Sequence, residues 1–398
     1  MSAAERLAPV LAEIADGAVA RERDRELPWE AVRALRESGF TALRLPVTVG
    51  GGGASLTEFF DVLVELARAD SNLPQLLRGH IAFVEHVLAS PEGEWRSRWL
   101  ARLADGEILG NAQSEPGGLA FWRPSTRITR GDNGWQVDGR KFYSTGSLFA
   151  DWIYTSGADG DDFVSALVRG DGEGVERIDD WDGFGQRLTG SGTTVFTAAR
   201  ADAEDVTVHE RGERPPSIDA AVFQLVLLAT LAGIGQRALD DALELVRGRS
   251  RSAFTARIAV PAQDPQVHQV LGEVAGLVYA ARASVAAAAR TVEEVLAVGP
   301  GPSGDGVARA DLAVFTAQGV VVDLVLRATT DIFRVGGASA TAEHRALDRH
   351  WRNARTVSSH NPEIFRAAAV GRFLLTGETP HDQLAAAVAA QIDQGVVA

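Results

Sequence analysis

The stretch RHWRNARTVSSHNPEIF, residues 349–365, sets Arg349, Arg352 and Arg355 three apart and adds His350, Trp351 and His360. No acid stands between His350 and Asn361. A histidine can hold or move a proton near neutral pH, and His360 is the candidate here. The same SSHNPE run also reads as a helix start around Pro362, so both readings stand. His80, in LLRGHIAFVE, is a second candidate, although a lone histidine on an apolar helix is more often a satisfied core residue. Ser144 and Thr145 end a strand just before Gly146, where small hydroxyl residues let backbone and side chain approach a ligand. Plain turn chemistry accounts for them as well. Arg251, beside Arg247 and Arg249, suits a phosphate or a helix C-terminus.

Other chemistries are excluded. The chain has no cysteine, which removes thiolate catalysis and thiolate metal sites. His344 and His350 lack partners at ligand spacing, so no metal is expected. Gly50–Gly53 has no strand before it and no Gly-x-Gly-x-x-Gly pattern, and reads as a turn. No nucleophile elbow is visible. The 398 residues carry a formal net charge of −14 with a pI near 5.1. That balance opposes tracking of nucleic-acid phosphates and polybasic membrane binding. The apolar run FQLVLLATLAGIG, 223–235, is too short for a membrane span and contains Gln224. With no apolar signal core at the N-terminus, a cytoplasmic location is expected.

The elements that must position these residues fall in three segments. Residues 1–107 read as helices: Leu7, Val10, Leu11 and Ile14 recur at helical spacing, Pro28 opens a second helix, and Ser55 or Thr57 caps a third. Residues 108–215 read as short β-strands, with Asp132-Asn133-Gly134 as a hairpin turn. Residues 216–398 are helical again, with long segments at 219–247, 265–297 and 306–334 and a terminal one at 381–394. The expected class is α+β: an N-terminal helical domain, a middle β-barrel-like domain and a C-terminal four-helix-type bundle.

That order, with three motifs, resembles the acyl-CoA dehydrogenase superfamily over nearly the whole chain. GNAQSEPGG (110–118) is similar to the family's flavin-facing loop, GWQVDGRKFYSTGSLFADW (134–152) to its next signature, and IFRVGGASA (332–340) to its Gly-Gly turn near a flavin phosphate. Within the superfamily, DDWDGFGQRLTGSGTTVF (179–196) and RHWRNARTVSSHNP resemble a monooxygenase branch that includes dibenzothiophene-desulfurising and dimethyl-sulfone monooxygenases. The resemblance implies reduced flavin, usually FMN, from a separate flavin reductase. It implies a flavin hydroperoxide formed with O2, a homotetramer, and oxygenation of a small apolar substrate at sulfur or nitrogen.

It also implies roles. His360 would donate to or orient the oxygenating group, His80 would face the cavity, and Ser144 would stand close to the flavin. Asn111, Gln113, Ser114, Tyr143, Ser144, Thr145 and Trp181 would line the flavin, and Trp181, Phe184, Phe121 and Trp122 would keep the site dry. Arg251, Phe254, Gly336, Gly337 and Ser339 would hold the phosphate, the glycine turn coming from a neighbouring subunit; a helix stop is the alternative for Gly336-Gly337. Thr255 stands where FAD-binding relatives have glycine, which favours FMN, with FAD still open. An FAD-dependent acyl-CoA dehydrogenase is the rival, but its carboxylate base is missing from 350–361; Asp240 and Glu244 are the substitutes to check. A flavin-free binding homologue is the third reading. Gln75, Gly79 and Val357 depart from the desulfurising relatives, which puts dibenzothiophene itself in doubt.

Overall fold

In the computed structural model, residues 2–115, 124–131, 134–209, 217–252, 257–298 and 303–393 are described. Among them, α1 (Ala3–Asp24) starts at Ser2, whose hydroxyl accepts from the Glu5 N–H while the Glu5 carboxylate accepts from the Ser2 N–H. Ser55 and Glu58 repeat this reciprocal cap at α3 (Leu56–Ala69), satisfying two donors that a helix start leaves open. Between them α2 (Trp29–Glu37) follows Pro28 and stops before Gly39, whose φ of 75° lets the chain turn back. Then come α4 (Asn72–Leu76), α5 (Arg78–Ala89) and α6 (Glu94–Ala104).

The middle of the chain is one sheet. Its strands are β1 (Leu109–Ala112), β2 (Arg127–Gly131), β3 (Gly134–Lys141), β4 (Trp152–Asp159), β5 (Asp162–Arg169), β6 (Val175–Ile178), β7 (Thr193–Ala201) and β8 (Val206–His209). The order is β6-β7-β3-β2-β4-β5-β8, with β1 running parallel beside β4. Gly131 pairs with Gly134, so β2 and β3 meet end to end; the hairpin residues between them lie outside the described residues. Ile128, Val137, Ile153, Val164 and Phe196 form the sheet's own core.

The remaining helices are α7 (Asp219–Arg247), α8 (Pro265–Leu296), α9 (Gly304–Asp331), α10 (Asp348–Ser359), α11 (Glu363–Thr376) and α12 (Pro380–Asp393). The expected bundle is revised in one respect. α7, α8 and α9 pack together, but α10 fills the place beside α7 and α9, α11 packs on α9, and α12 lies at the edge against α9 and α11. The opening helices do not keep a separate core: Leu63 and Leu66 of α3 join Leu225 and Leu228 of α7 and Val321 of α9 in one apolar cluster. Gly233 permits the contact, since a Cβ there would stand 2.3 Å from the Ala67 Cβ and 2.5 Å from the Val64 carbonyl.

By length and composition, α7, α8 and the helical stretch 304–335 are each apolar enough to cross a membrane, so the short 223–235 run understated α7. In the structure 78% of the α7 window is buried among protein neighbours.

Arg349 and Arg352 reach acids on other elements, and Arg352 also pairs with Asp348 of its own helix at 2.8 Å. Arg349 donates to Asp241 Oδ2 at 2.6 Å and His350 Nε2 lies 2.8 Å from the same oxygen, while Arg237 reaches Oδ1 at 2.7 Å. Arg352 bridges Glu22 of α1 at 3.1 Å and the Phe184 carbonyl at 2.8 Å. These bonds tie α10 to α7, α1 and the 179–192 loop within one chain, so Arg349 and Arg352 act as internal fasteners.

Candidate active site

The sharp turn after β3 forms one side of the candidate site. Tyr143 takes φ 58°, a left-handed conformation uncommon for a non-glycine residue. It stays 53% exposed, edge-on to Trp181 at 5.9 Å between ring centres. Ser144 is buried, its N–H bonded to the Gly192 carbonyl at 3.0 Å, and its hydroxyl has no partner among the described residues. Thr145 is fixed by Ser191 Oγ at 2.8 Å, which in turn meets Thr189 Oγ1 at 2.7 Å. Gly146, φ 78°, lets the turn press against the Leu76 carbonyl, where a Cβ would approach to 2.2 Å.

The facing wall is the start of α5. Buried Asn111 of β1 crosses it: a Cβ on Gly79 would lie 3.1 Å from Asn111 Oδ1, and that oxygen has no hydrogen-bond partner. Gln75 Oε1 is likewise buried and unpartnered. Arg78 is 6% exposed and donates from Nη2 to His360 Nε2 at 2.7 Å. Its guanidinium lies 5.1 Å from the Phe223 ring centre. The corner that carries His360 is pinned twice: Asn361 Nδ2 donates to Gln224 Oε1 at 2.8 Å, and Gln318 Nε2 donates to the Asn361 carbonyl at 2.7 Å. His360 itself is exposed at the end of α10. The Arg78 charge, with burial second, holds its imidazole down at about 3.

The 179–192 loop closes the third side. Asp179 pairs with Arg25 at 2.8 Å, Trp181 Nε1 donates to the Gln186 carbonyl at 2.9 Å, and the Gln186 N–H donates to Asn353 Oδ1 of α10 at 2.6 Å. Leu188 N–H donates to Asn72 Oδ1 at 3.2 Å. Phe184, expected to line the dry wall, is exposed and stacks on Trp351.

The structure redistributes several expected roles. His80 is 2% exposed, with Nε2 bonded to the Thr41 carbonyl at 2.9 Å and Nδ1 accepting from the Leu109 N–H at 3.4 Å. Both ring nitrogens are satisfied by backbone and burial lowers it to about 4, so it is a neutral core histidine. Arg78, two residues earlier, is the α5 side chain that reaches the His360 corner. Gln113 donates its amide to the Tyr154 carbonyl at 3.0 Å, and Ser114 is exposed with its carbonyl accepting from Phe142. Glu115 bonds Lys141 at 2.7 Å and the Thr126 N–H at 3.0 Å, so it shapes its loop.

Arg251, Gly336, Gly337 and Ser339 do not join this cleft within one chain. A Cβ on Gly336 would meet Leu245, near the far end of α7. Gln224, which marks the His360 corner, precedes Arg247 by twenty-three residues, roughly 35 Å of helix. Phe254, Phe121 and Trp122 lie outside the described residues. A cavity of about 310 Å³ opens elsewhere, lined by Arg36, Gly50–Gly52 and Asp105, and none of the cleft residues borders it. Among the described residues no cluster of histidine and acid is arranged to hold a metal.

Two family models match the chain: acyl-CoA dehydrogenase, N-terminal domain, over 3–107, and acyl-CoA dehydrogenase, C-terminal domain, over 225–362. Together they span more than half of it. The chain belongs to the acyl-CoA dehydrogenase family. The dibenzothiophene monooxygenase of Rhodococcus qingshengii is 28% identical over 87% of this chain and 86% of its own length. The probable FMNH2-dependent monooxygenase SfnC of Pseudomonas putida is 27% identical over 92% of this chain and 93% of its own. The FMN-bound structure of TdsC from Paenibacillus sp. A11-2 aligns with a TM-score of 0.85 at 26% identity, over 94% of this chain and 98% of that one.

Two observations place this member within the family. First, the acids sought as a dehydrogenase base lie elsewhere: Asp240 bonds Arg68 at 2.6 Å, and exposed Glu244 is twenty residues, roughly 30 Å, along α7 from Gln224. Second, the unpartnered buried oxygens of Asn111, Ser144 and Gln75 are each destabilising, by about 1–3 kcal/mol, unless a ligand satisfies them. A ligand with polar edges would satisfy these oxygens.

Proposed function

We propose that this chain is a flavin-dependent monooxygenase that uses reduced FMN and O2 to oxygenate a small organic substrate at sulfur or nitrogen. The observation that carries the reading is the cleft's proton-bearing group: a neutral imidazole, His360, stands where a dehydrogenase would need a carboxylate. Bound reduced FMN supplies the electrons that activate O2. Asn111 and Ser144 hold the ring's polar edge and Tyr143 and Trp181 flank it. His360 accepts from Arg78 through Nε2, so its proton sits on Nδ1 and is offered from there. The 179–192 loop, fastened to α4 and α10, limits water entry.

A separate flavin reductase is the partner that the resemblance to the monooxygenase branch implies. The half-site at Arg251, Gly336, Gly337 and Ser339 is completed by a neighbouring copy in a homotetramer. Exposed apolar residues on α8 and α11, among them Tyr279, Phe365 and Leu375, support such contacts. The domains are 1–107, 108–215 and 216–398, and the location is the cytoplasm.

The test uses purified protein with NADH, a generic flavin reductase and O2 on a panel of sulfur and nitrogen compounds. Oxygenated product supports the reading. Anaerobic bleaching of bound flavin by an acyl-CoA, without O2, replaces it with the dehydrogenase. Calorimetry is expected to show reduced FMN binding at least as tightly as reduced FAD.

A further inference from the structure

We propose that Arg78 is the anchor for a negatively charged group on the substrate, so that the enzyme acts on small organic acids such as sulfinates, sulfonates or carboxylates. The inference rests on the monooxygenase reading of this cleft and adds to it the substrate's charge.

Among the described residues the other buried arginine, Arg349, pairs with Asp241 at 2.6 Å, and half-buried Arg44 pairs with Glu85 at 2.6 Å. Arg78 is different. It is 6% exposed, and no carboxylate lies within ion-pair distance of it among the described residues. Its contacts are the neutral His360 nitrogen and the Phe223 ring, neither of which carries compensating charge. Its Nε–H is buried with no acceptor. Together with Nη2, that Nε–H forms one edge of the guanidinium fork, the geometry that receives carboxylate or oxyanion oxygens in pairs. Burial lowers Arg78 to about 10, still charged at neutral pH. A buried, charged, acid-free arginine is strongly unfavourable unless something else neutralises it.

The surroundings reinforce the positive character. Arg366 acts electrostatically on His360. The acid that faces Arg366, Asp311, is itself pushed up to about 7 by burial, so it compensates weakly. A flavin phosphate is a poor occupant, because the Arg251 and Gly336 half-site lies at the far end of α7. An anion delivered with the substrate fits, and it would sit beside His360.

Binding of isosteric probes tests the proposal, with and without FMN, by calorimetry. Ethanesulfinate and ethyl methyl sulfoxide differ by one oxygen for one methyl, as do propanoate and 2-butanone. The native protein is expected to prefer the anion of each pair by about 10- to 100-fold, the span of a hydrogen bond to a charged group. Arg78→Gln should erase the preference, and Arg78→Lys should keep most of it, with FMN affinity unchanged in both. Circular dichroism checks folding; should the Gln variant fail to fold, the native preference and the Lys variant decide. Equal binding of the paired probes to the native protein overturns the anchor, as does preference that survives in Arg78→Gln. Loss of FMN affinity without any anion preference reassigns Arg78 to the flavin and also overturns it. FMN binding and oxygenation without anion preference would leave the monooxygenase reading standing. Anion preference in a protein that binds no FMN would keep the anchor and remove the flavin.

Discussion

Arg78 Nη2 and His360 Nε2 lie 2.7 Å apart, and the direction of that bond is fixed because a guanidinium can only donate. His360 must therefore accept at Nε2 and carry its proton on Nδ1. Nitrogen NMR of the protein is expected to show the neutral Nδ1–H tautomer from pH 8 down to about 4, with titration near 3. In Arg78→Gln the largest cause of the shift is gone while burial remains, so the midpoint should rise yet stay below 6.5. An Nε2–H tautomer in the native protein would refute the arrangement.

The same geometry makes His360 the proton-offering group of the cleft. His360→Ala should leave the fold intact, because Asn361 holds the corner through Gln224 and Gln318. Oxygen uptake should continue while product falls and hydrogen peroxide rises. Removing one preorganised hydrogen-bond donor from a site typically costs about 10²- to 10³-fold, which sets the scale of the expected loss of product. Unchanged coupling between O2 and product would remove His360 from the chemistry.

Asp241 holds α10 against α7. Burial works against its charge, but the His350 bond and the Arg349 and Arg237 charges outweigh it and keep its carboxyl well below the usual range. A depressed carboxyl contributes stability that is present above the unfolded value near 3.8 and is lost as pH falls below it. Asp241→Ala leaves Arg349 buried without its partner and is expected to destabilise by about 3–5 kcal/mol. Urea unfolding at pH 7 and pH 3 checks both points: the difference between native and variant should shrink at the lower pH.

Close helix approach gives a further test. Gly233→Ala on α7 places a methyl against Ala67 and Val64 of α3, both on a rigid partner helix. Overpacking of this kind costs about 1–3 kcal/mol. Thermal unfolding should show a lower midpoint, with reduced FMN affinity following only if the cleft opens.

What the sequence showed and hid has physical reasons. The 29-residue helix α7 was legible because its apolar positions continue through Gly233 and Gly235 with no proline, and the caps at Ser55 and Pro28 carry local signals. The cleft was harder. On α5, Arg78, Gly79, His80, Ile81, Ala82, Phe83, Val84 and Glu85 are all buried, so the helix has no polar face to show which side meets the cleft. The sequence singles out His80 by its residue type, while Arg78 carries no local signal of its role. The arginines at 349–355 looked unpaired because Asp241 and Glu22 are more than one hundred residues away along the chain. Motifs survive folding as local geometry, whereas charge pairing is decided by which elements pack together.

Asp311 sits in an apolar helical run on α9. It is 6% exposed on α9, with Oδ1 unpartnered, and Phe315 and Gln318 stand one and two turns further along the same face. Arg366, over the Phe315 ring at 4.0 Å, acts on it too weakly to cancel burial, which raises the carboxyl to about 7. The sign follows from proton counting. Between the unfolded value near 3.8 and about 7 the folded chain binds the extra proton, so this group makes stability fall as pH rises through that window and level off above it. Asp311→Asn keeps the shape and removes the ionisation. Its stability should exceed that of the native protein at pH 8 and match it near pH 4. Denaturant unfolding across pH 4–8 measures the difference, and a gap that does not widen toward pH 8 would show that Asp311 ionises normally.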